Sequence, residues 1–424
     1  MKAWERRLAD LANLLQNCHS TYMDPDLFRM NANQFLQTAR TVIFIIQKNK
    51  ESIPSFDQWY VPAVVDGWKE DKVMRWAKEA RNAIEKEGDL ELHSSLNARL
   101  IYSYFVEQDM TMEIGRTELL NFGVAKLVRY AQKKLVRFAQ QKLPSGVSDV
   151  ALIKIERCWV ASTIKEWELL RALLYVYTRH LECCKSLAAK LGTKLDESIP
   201  AEDHFEYITS ETRQVRYFKL NGMQTHSLVS ERIKIDRSFK PPEHIQHLLT
   251  GTSIEKRPVM KSLTEASEWY KKMAIATFEH YGNHTFMLFI LDKAWRPIDM
   301  MNPHFEDQAD KFIFWRMVAE NITNQKAFGA IWIGESWRRT ATEFPHTPMR
   351  NMPITGERLS LVGIDGTGTR LRYDWEIVRS TPDAKPTLKA MDIEDVYNEK
   401  ADMFLMPVAR ALGVPDPEFL KGVF

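Results

Sequence analysis

Few side chains in this 424-residue sequence stand at spacings that could do chemistry. His280 and His284 are four positions apart, the separation that sets two imidazoles on one helical face for a metal, but Tyr281-Gly282-Asn283 between them breaks a helix. No H-E-x-x-H glutamate accompanies them, so they are read as a helix end and a strand start, with no metal and no cofactor expected. Gly334-Glu335-Ser336-Trp337-Arg338 follows a strand-like run at 330–333 and puts Glu335 and Arg338 at a strand's carboxyl end, where sheets often present functional groups. Glu335 could act as a general base or a cation ligand; the favoured reading is a surface ion pair with Arg338 or Arg339. With His284 and Trp337 these residues make one candidate binding edge. Gly366-Thr367-Gly368 lacks the length and the Lys-Ser/Thr ending of a phosphate loop, and 369–375 is strand-like, so the glycines read as a hairpin turn. His226 and Ser227 have no acid partner at triad-like positions, and no G-x-S-x-G elbow exists.

The composition, 45% hydrophobic and 27% charged with 17 Gly and 18 Pro, is that of a globular chain long enough for two or three cores, and it excludes disordered, collagen-like and disulfide-scaffold classes. Lys+Arg at 58 against Asp+Glu at 56 leaves +2, so no global field draws the chain to nucleic acid or an anionic membrane. Cys18, Cys158, Cys183 and Cys184 show no C-x-x-C spacing and read as buried thiols. The start of the chain lacks signal-peptide character and the longest apolar run, 42–46, is too short to span a bilayer, so the expectation is a cytoplasmic protein without membrane contact.

The elements that must position these groups follow from periodicity. Apolar residues recur every three or four positions from Trp4 to about Leu191, which predicts successive helices: one from Asp24-Pro25-Asp26 through Lys48, then 62–87, 112–141 and 149–191. Along the third, Lys126, Arg129, Lys133, Lys134 and Arg137 alternate with apolar residues, a solvated basic face or a phosphate-tracking one. Asn221-Gly222 between strand-like runs at 215–220 and 223–229 predicts a β-hairpin. A helix at 263–280, strands at 284–292 and 297–301, a helix at 305–324, a strand at 328–332 and two strands flanking Asp365-Gly366-Thr367-Gly368 complete the pattern. The fold class is α+β: a helical-bundle domain over 1–192, a connecting segment with a hairpin over 193–262, a small α+β domain with a mostly antiparallel sheet over 263–390, and a helical tail over 391–424.

At 36–48 (LQTARTVIFIIQK), 56–60 (FDQWY) and 76–89 (WAKEARNAIEKEGD) the chain resembles helical domains of the HEPN class, named for nucleotide binding in higher eukaryotes and prokaryotes. Roughly the first 100 residues carry the likeness, which extends toward Leu191 through Glu156-Arg157-Cys158-Trp159-Val160 and Trp167-Glu168-Leu169-Leu170. Ribonucleases of that class carry an Arg, a polar residue, three variable positions and a His. The resemblance places this on Arg81 through Lys86, with Arg81 and Asn82 matching and Lys86 where the His belongs. An amine of ordinary pKa about 10.4 is poorly placed to move a proton near neutral pH, and His93 lies beyond the motif's window. Three readings of the pair are open: a structural one satisfying carbonyls and Asp89, a phosphate-binding one with Lys86, and retained nuclease chemistry.

The resemblance implies self-association through the helical domain, and the binding residues proposed from it and from the basic helix are Arg81, Asn82, Lys86, Lys126, Arg129, Lys133 and Arg137, with RNA or a nucleotide as ligand. The expectation is therefore a binding or assembly module without a complete catalytic motif. The alternatives are a metal-independent ribonuclease and a scaffold for an unknown protein partner, the latter marked by exposure of Trp332 or Trp337.

Overall fold

The computed structural model describes residues 1–104, 110–113, 122–123, 126–127, 129–130, 133, 135, 137, 141–205, 208, 214–220, 225–233, 235, 259–340, 346–381, 384–391 and 403–417. Contacts divide the chain into two units. The first comprises Met1–Arg99, Thr111–Lys133 and Lys154–Arg216, and the second Leu100–Met110, Lys134–Ile153 and Tyr217–Phe424. They are interleaved along the chain, unlike the consecutive segments read from the sequence.

The first unit is built on helices whose starts are capped by acidic side chains. Helix α1 spans Ala3–Ser20 and α2 spans Pro25–Lys48; Asp24 accepts from the Asp26 and Leu27 amides, and Pro25 occupies the first position, where its missing N–H costs nothing. Helix α3, Lys72–Glu87, is capped by Asp71 and ends at Gly88, whose φ of 97° suits only glycine. Helix α4, Leu169–Lys190, starts at Glu168. Their apolar faces meet in one core that includes Leu8, Leu15, Phe28, Phe35, Ile46, Trp76, Leu173 and Tyr177.

The helix expected over 149–191 is not continuous. Strand β3 occupies Leu152–Ala161, and α4 begins only at Leu169. The alternation of Ile153, Ile155 and Arg157 with Leu152, Lys154 and Glu156, rich in β-branched side chains, fits a pleated strand buried on both faces better than a helix. Strands β1 (Leu92–Ile101), β2 (Met110–Glu113), β4 (Gln214–Lys219) and β5 (Thr225–His226) join it in a sheet of order β2-β1-β3-β4-β5. β4 and β5 pair antiparallel, Tyr217 with His226, as a hairpin requires; Asn221-Gly222 itself lies outside the described residues.

Burial inside the first unit is locked by a polar network. Arg157 is fully buried and donates to the Met23 carbonyl at 2.8 Å and the Phe122 carbonyl at 2.9 Å, with its guanidinium 5.1 Å from the Trp159 ring centre. The Trp159 amide donates to Tyr22 Oη at 3.0 Å and its indole N–H to the Tyr22 carbonyl at 2.9 Å. Tyr22 Oη in turn donates to Glu168 at 2.7 Å, the same carboxylate that caps α4.

In the second unit, strands β6 (Val229–Arg232), β7 (Met287–Leu291), β8 (Pro297–His304), β9 (Gly329–Arg339), β10 (Ile354–Asp365), β11 (Arg370–Val378) and β12 (Thr387–Ala390) form an antiparallel sheet of order β12-β11-β10-β9-β7-β8-β6. Helix α5 (Leu263–Tyr281) covers one face through Leu263, Tyr270 and Phe278 against Phe289, Ile331, Leu359 and Trp375. Helix α6 (Gln308–Gln325) and the short α7 (Met406–Ala411) cover the other through Phe314, Trp315 and Val408 against Leu288, Trp332 and Val362. The order of strands and helices read from 263–380 is the order found, and α7 is the described helix of the expected tail. Gly366-Thr367-Gly368 makes the expected hairpin turn, closed by Asp365, whose carboxylate accepts the Thr367 and Thr369 amides. The class is α+β.

Replacing Tyr22 by Phe removes the hydroxyl that serves both the Trp159 amide and Glu168. We expect Tyr22→Phe to lower unfolding free energy by about 1–3 kcal/mol, the cost of buried polar groups left without a partner, measured by urea denaturation; an unchanged midpoint would show the network to be incidental.

Candidate functional site: a polar groove on the helical unit

Helices α1, α2 and α3 leave a cavity of about 390 Å³ lined by Arg7, Gln34, Gln37, Thr38, Thr41, Arg81 and Glu85. Gln34, Gln37, Thr38 and Thr41 recur at helical spacing on α2 and make the floor, while Arg7 comes from α1 and Arg81 from α3. Arg81 pairs with Glu85 one turn on, at 2.5 Å, and donates to Asn82 Oδ1 at 3.1 Å; Arg7 pairs with Asp10 at 2.8 Å. The lining thus holds two guanidiniums, one carboxylate, two amides and two hydroxyls, with no imidazole. It can ligate a phosphate or another oxyanion, and it lacks a side chain whose ordinary pKa suits proton transfer at neutral pH.

Of the residues singled out by the motif, Arg81 is in the groove, Asn82 positions it, and Lys86 is exposed outside the lining. Asp89, expected to hold Arg81, is instead taken by Arg29 and by Asn33 at 2.6 Å. His93 is exposed and hydrogen-bonded to Ser162 at 2.9 Å. Sequence reasoning missed Arg7 and the α2 floor; uncharged polar residues recurring at 34, 37, 38 and 41 at helical spacing were the available signal. On the basic helix Lys126, Arg129, Lys133 and Arg137 are all exposed, while Leu127 and Leu135 are buried. Lys126 lies 5.2 Å from the Phe122 ring centre.

The second candidate edge is partly assembled in the second unit. The half-buried Glu335 accepts the His284 backbone amide at 2.5 Å, so the ion pair expected with Arg338 or Arg339 gives way to a tie between the start of β7 and β9. Burial, with the nearby charge of Glu357, pushes the Glu335 carboxyl above its ordinary range, and burial holds His284 below its own. Arg339 donates to the Arg350 carbonyl and to that of Met352, and its guanidinium stands 5.6 Å from the Trp337 ring. Trp337 is 63% exposed, whereas Trp332 is buried among Phe286, Trp315 and Phe404. Arg338 is exposed.

His226 does have an acid partner. Its Nε2 lies 2.6 Å from Asp310 Oδ1, and both side chains are buried. The two residues are 84 positions apart, beyond any spacing rule. With Asp307 they form the one group among the described residues with three metal-ligating atoms in mutual reach. Those atoms are already engaged: Asp307 caps α6 through the Ala309 and Asp310 amides and pairs with Lys219 at 3.1 Å, and Asp310 accepts the Glu306 amide at 2.7 Å. Lys219 and the positive end of α6 both disfavour a cation here, so we read the trio as a helix cap anchored to β5.

The match to the family model of bacteriophage lambda protein ea47 covers residues 1–417. A curated relative, protein ea47 of Escherichia phage lambda, is 42% identical over 412 residues, 97% of each chain. The chain belongs to the ea47 family. No solved structure matches it. The family match runs through both units, the groove and the His226–Asp310 pair alike. No helix among the described residues is long and apolar enough to cross a membrane.

Two measurements check these assignments. Because the folded-state pKa of Glu335 is raised, its carboxylate lowers stability above that pKa and is without effect below the unfolded value near 4.3. Glu335→Gln, which keeps an acceptor for His284, is therefore expected to raise the melting temperature at pH 7 by an amount worth under about 1 kcal/mol, with the gain vanishing below pH 4. A gain independent of pH would contradict it. For the cap, His226→Ala should lower stability by about 1–3 kcal/mol by stripping buried Asp310 of its partner, while EDTA leaves the melting temperature of the unaltered chain in place; a chelator-induced drop would restore the metal reading.

Proposed function

We propose that the chain is a non-catalytic binding module of HEPN-like type that self-associates through its helical region and holds RNA or a nucleotide by its phosphates in the groove of Arg7 and Arg81. The carrying observation is the groove's chemistry: guanidiniums from two helices stand over a floor of amides and hydroxyls, and no imidazole lines it. Paired N–H donors of arginine match phosphate oxygens, and Gln and Thr can complete the hydrogen bonding of a ribose or phosphodiester. The near-zero net charge makes this a local attraction, steep in salt only to the extent of the few phosphates contacted. Lys86 in place of the motif's His and its position outside the groove both favour binding over cleavage.

The exposed Trp337 beside Arg339 favours a second reading, a scaffold that docks a protein partner on the β9–β10 end. Fluorescence anisotropy with a labelled single-stranded RNA separates the two. Arg7→Ala and Arg81→Ala are each expected to weaken binding about tenfold, the loss of a charged hydrogen-bonding group, with no cleavage products. Unaltered affinity in the double variant would remove the groove from the function, and cleavage abolished by Arg81→Ala would make the protein a ribonuclease.

A further inference from the structure

One residue of the groove is not accounted for by phosphate binding alone. Glu85 lines the cavity beside Arg81 with its side chain 45% exposed, and a carboxylate there repels the phosphate that the two guanidiniums would hold. Helix stability does not favour it either. Glu85 stands in the last turn of α3, the end whose dipole disfavours negative charge, and its ion pair with Arg81 runs in the weaker order, cation one turn ahead of anion. A ligand that brings N–H donors together with its phosphate turns this carboxylate into a contact. The open donors and acceptors of the lining identify such a ligand. Arg81 uses Nη1 on Asn82 and Nη2 on Glu85, and Arg7 uses Nη1 on Asp10, so each guanidinium keeps further N–H groups for a phosphate. On the floor, Gln34 Nε2 donates to Thr38 Oγ1 at 3.4 Å and Thr41 Oγ1 donates to the Gln37 carbonyl at 3.0 Å, while the Gln37 side-chain amide is hydrogen-bonded to none of the described residues. Among the RNA bases, guanine presents two adjacent donors, N1–H and the 2-amino group, which one carboxylate accepts together, and its O6 and N7 take an amide donor. Adenine and cytosine offer an amino group beside a ring-nitrogen lone pair, and uracil one N–H between two carbonyls, so each sets a lone pair against Glu85. The cavity, about 390 Å³, lies toward the small end of small-ligand sites and has room for one base with its phosphate, not for a duplex.

We infer that Glu85 is a guanine-reading residue: the groove takes a guanine nucleotide, free or within a single strand, with its base on Glu85 and Gln37 and its phosphate on Arg7 and Arg81. The inference rests on the phosphate groove of the proposed function and adds to it the identity of the base.

Titration calorimetry of the full chain with GMP, IMP, AMP, CMP and UMP tests the free nucleotide, and anisotropy with a labelled single-stranded A-tract, with and without one central G, tests the strand. GMP is expected to bind about tenfold tighter than AMP, CMP or UMP, and IMP, which lacks only the 2-amino group, to fall well below GMP. Glu85→Gln keeps an acceptor for Arg81 but offers no second one to the base. It should weaken GMP about tenfold, to the level of AMP, and leave AMP unchanged or tighter, with circular dichroism unaltered. Guanine preference in the strand without preference among the free nucleotides also supports the inference and puts the base in RNA. Equal binding of all the nucleotides and of both strands overturns the guanine reading and leaves the phosphate groove standing. IMP equal to GMP overturns the two-donor contact, and a Glu85→Gln variant that binds every nucleotide more tightly to the same extent makes Glu85 a bare repelling charge. Binding of no nucleotide and no strand removes the groove from the function and the inference with it.

Discussion

The first unit depends on burying a guanidinium. Arg157 sits in the middle of β3 with no exposure, and such burial is tolerable only where the guanidinium finds hydrogen-bond acceptors. The Met23 and Phe122 carbonyls take its donors and the Trp159 ring lies against it, while burial lowers its pKa to about 10. That arrangement fixes the turn between α1 and α2, because the neighbouring Tyr22 is held by both Trp159 and Glu168. Tyr22 therefore joins the α1–α2 turn, β3 and the start of α4 through one hydroxyl, and the helix hairpin that carries the groove inherits its geometry from this point. The same burial pushes the Tyr22 hydroxyl well above its ordinary pKa, with the Glu168 carboxylate adding to the effect, so it stays a donor over the physiological range.

The second unit solves a different problem. A sheet of seven antiparallel strands with apolar side chains on both faces needs a cover on each, and α5 on one side with α6 and α7 on the other supply it. Close approach is paid for in side-chain size: Gly334 lies against the Phe286 ring, where a Cβ would overlap the ring carbons. The buried Asp374 holds two guanidiniums on one carboxylate oxygen, Arg358 at 3.2 Å and Arg372 at 2.9 Å. At the cap of α6, His226 from β5 hydrogen-bonds Asp310 and Lys219 from β4 pairs with Asp307, carboxylates that already serve amides. Function in this unit is therefore sought at its exposed β9–β10 end and not in its core.

How much was legible differs between the units for a physical reason. Across 263–380 the signals are local: the Tyr281-Gly282-Asn283 break that ends α5, the short apolar run of β7, and the turn at Asp365. Each can be read within ten residues, and each was found in place. In the first unit β3 was hidden, because a strand buried on both faces shows apolar residues without alternating exposure and merges in sequence with the apolar helix that follows. Glu335 was assigned to a neighbouring Arg by proximity along the chain, whereas the fold offers it the His284 amide, 51 positions away.

The amino-acid sequence by itself determined the class, the start of α2 at Asp24-Pro25, the hairpin turn at Gly366 and the departure of Lys86 from the resembled motif, since these follow from backbone propensity and residue identity at short range. Tertiary structure decided which side chains share a site. Arg7 and Arg81 come from helices separated by more than fifty residues, and only the packing of α1 and α3 on α2 sets both beside one polar floor. His226 finds Asp310 in the same way. Propensity acts along the chain, whereas a site is a meeting of surfaces chosen by burial, and burial is a property of the whole fold.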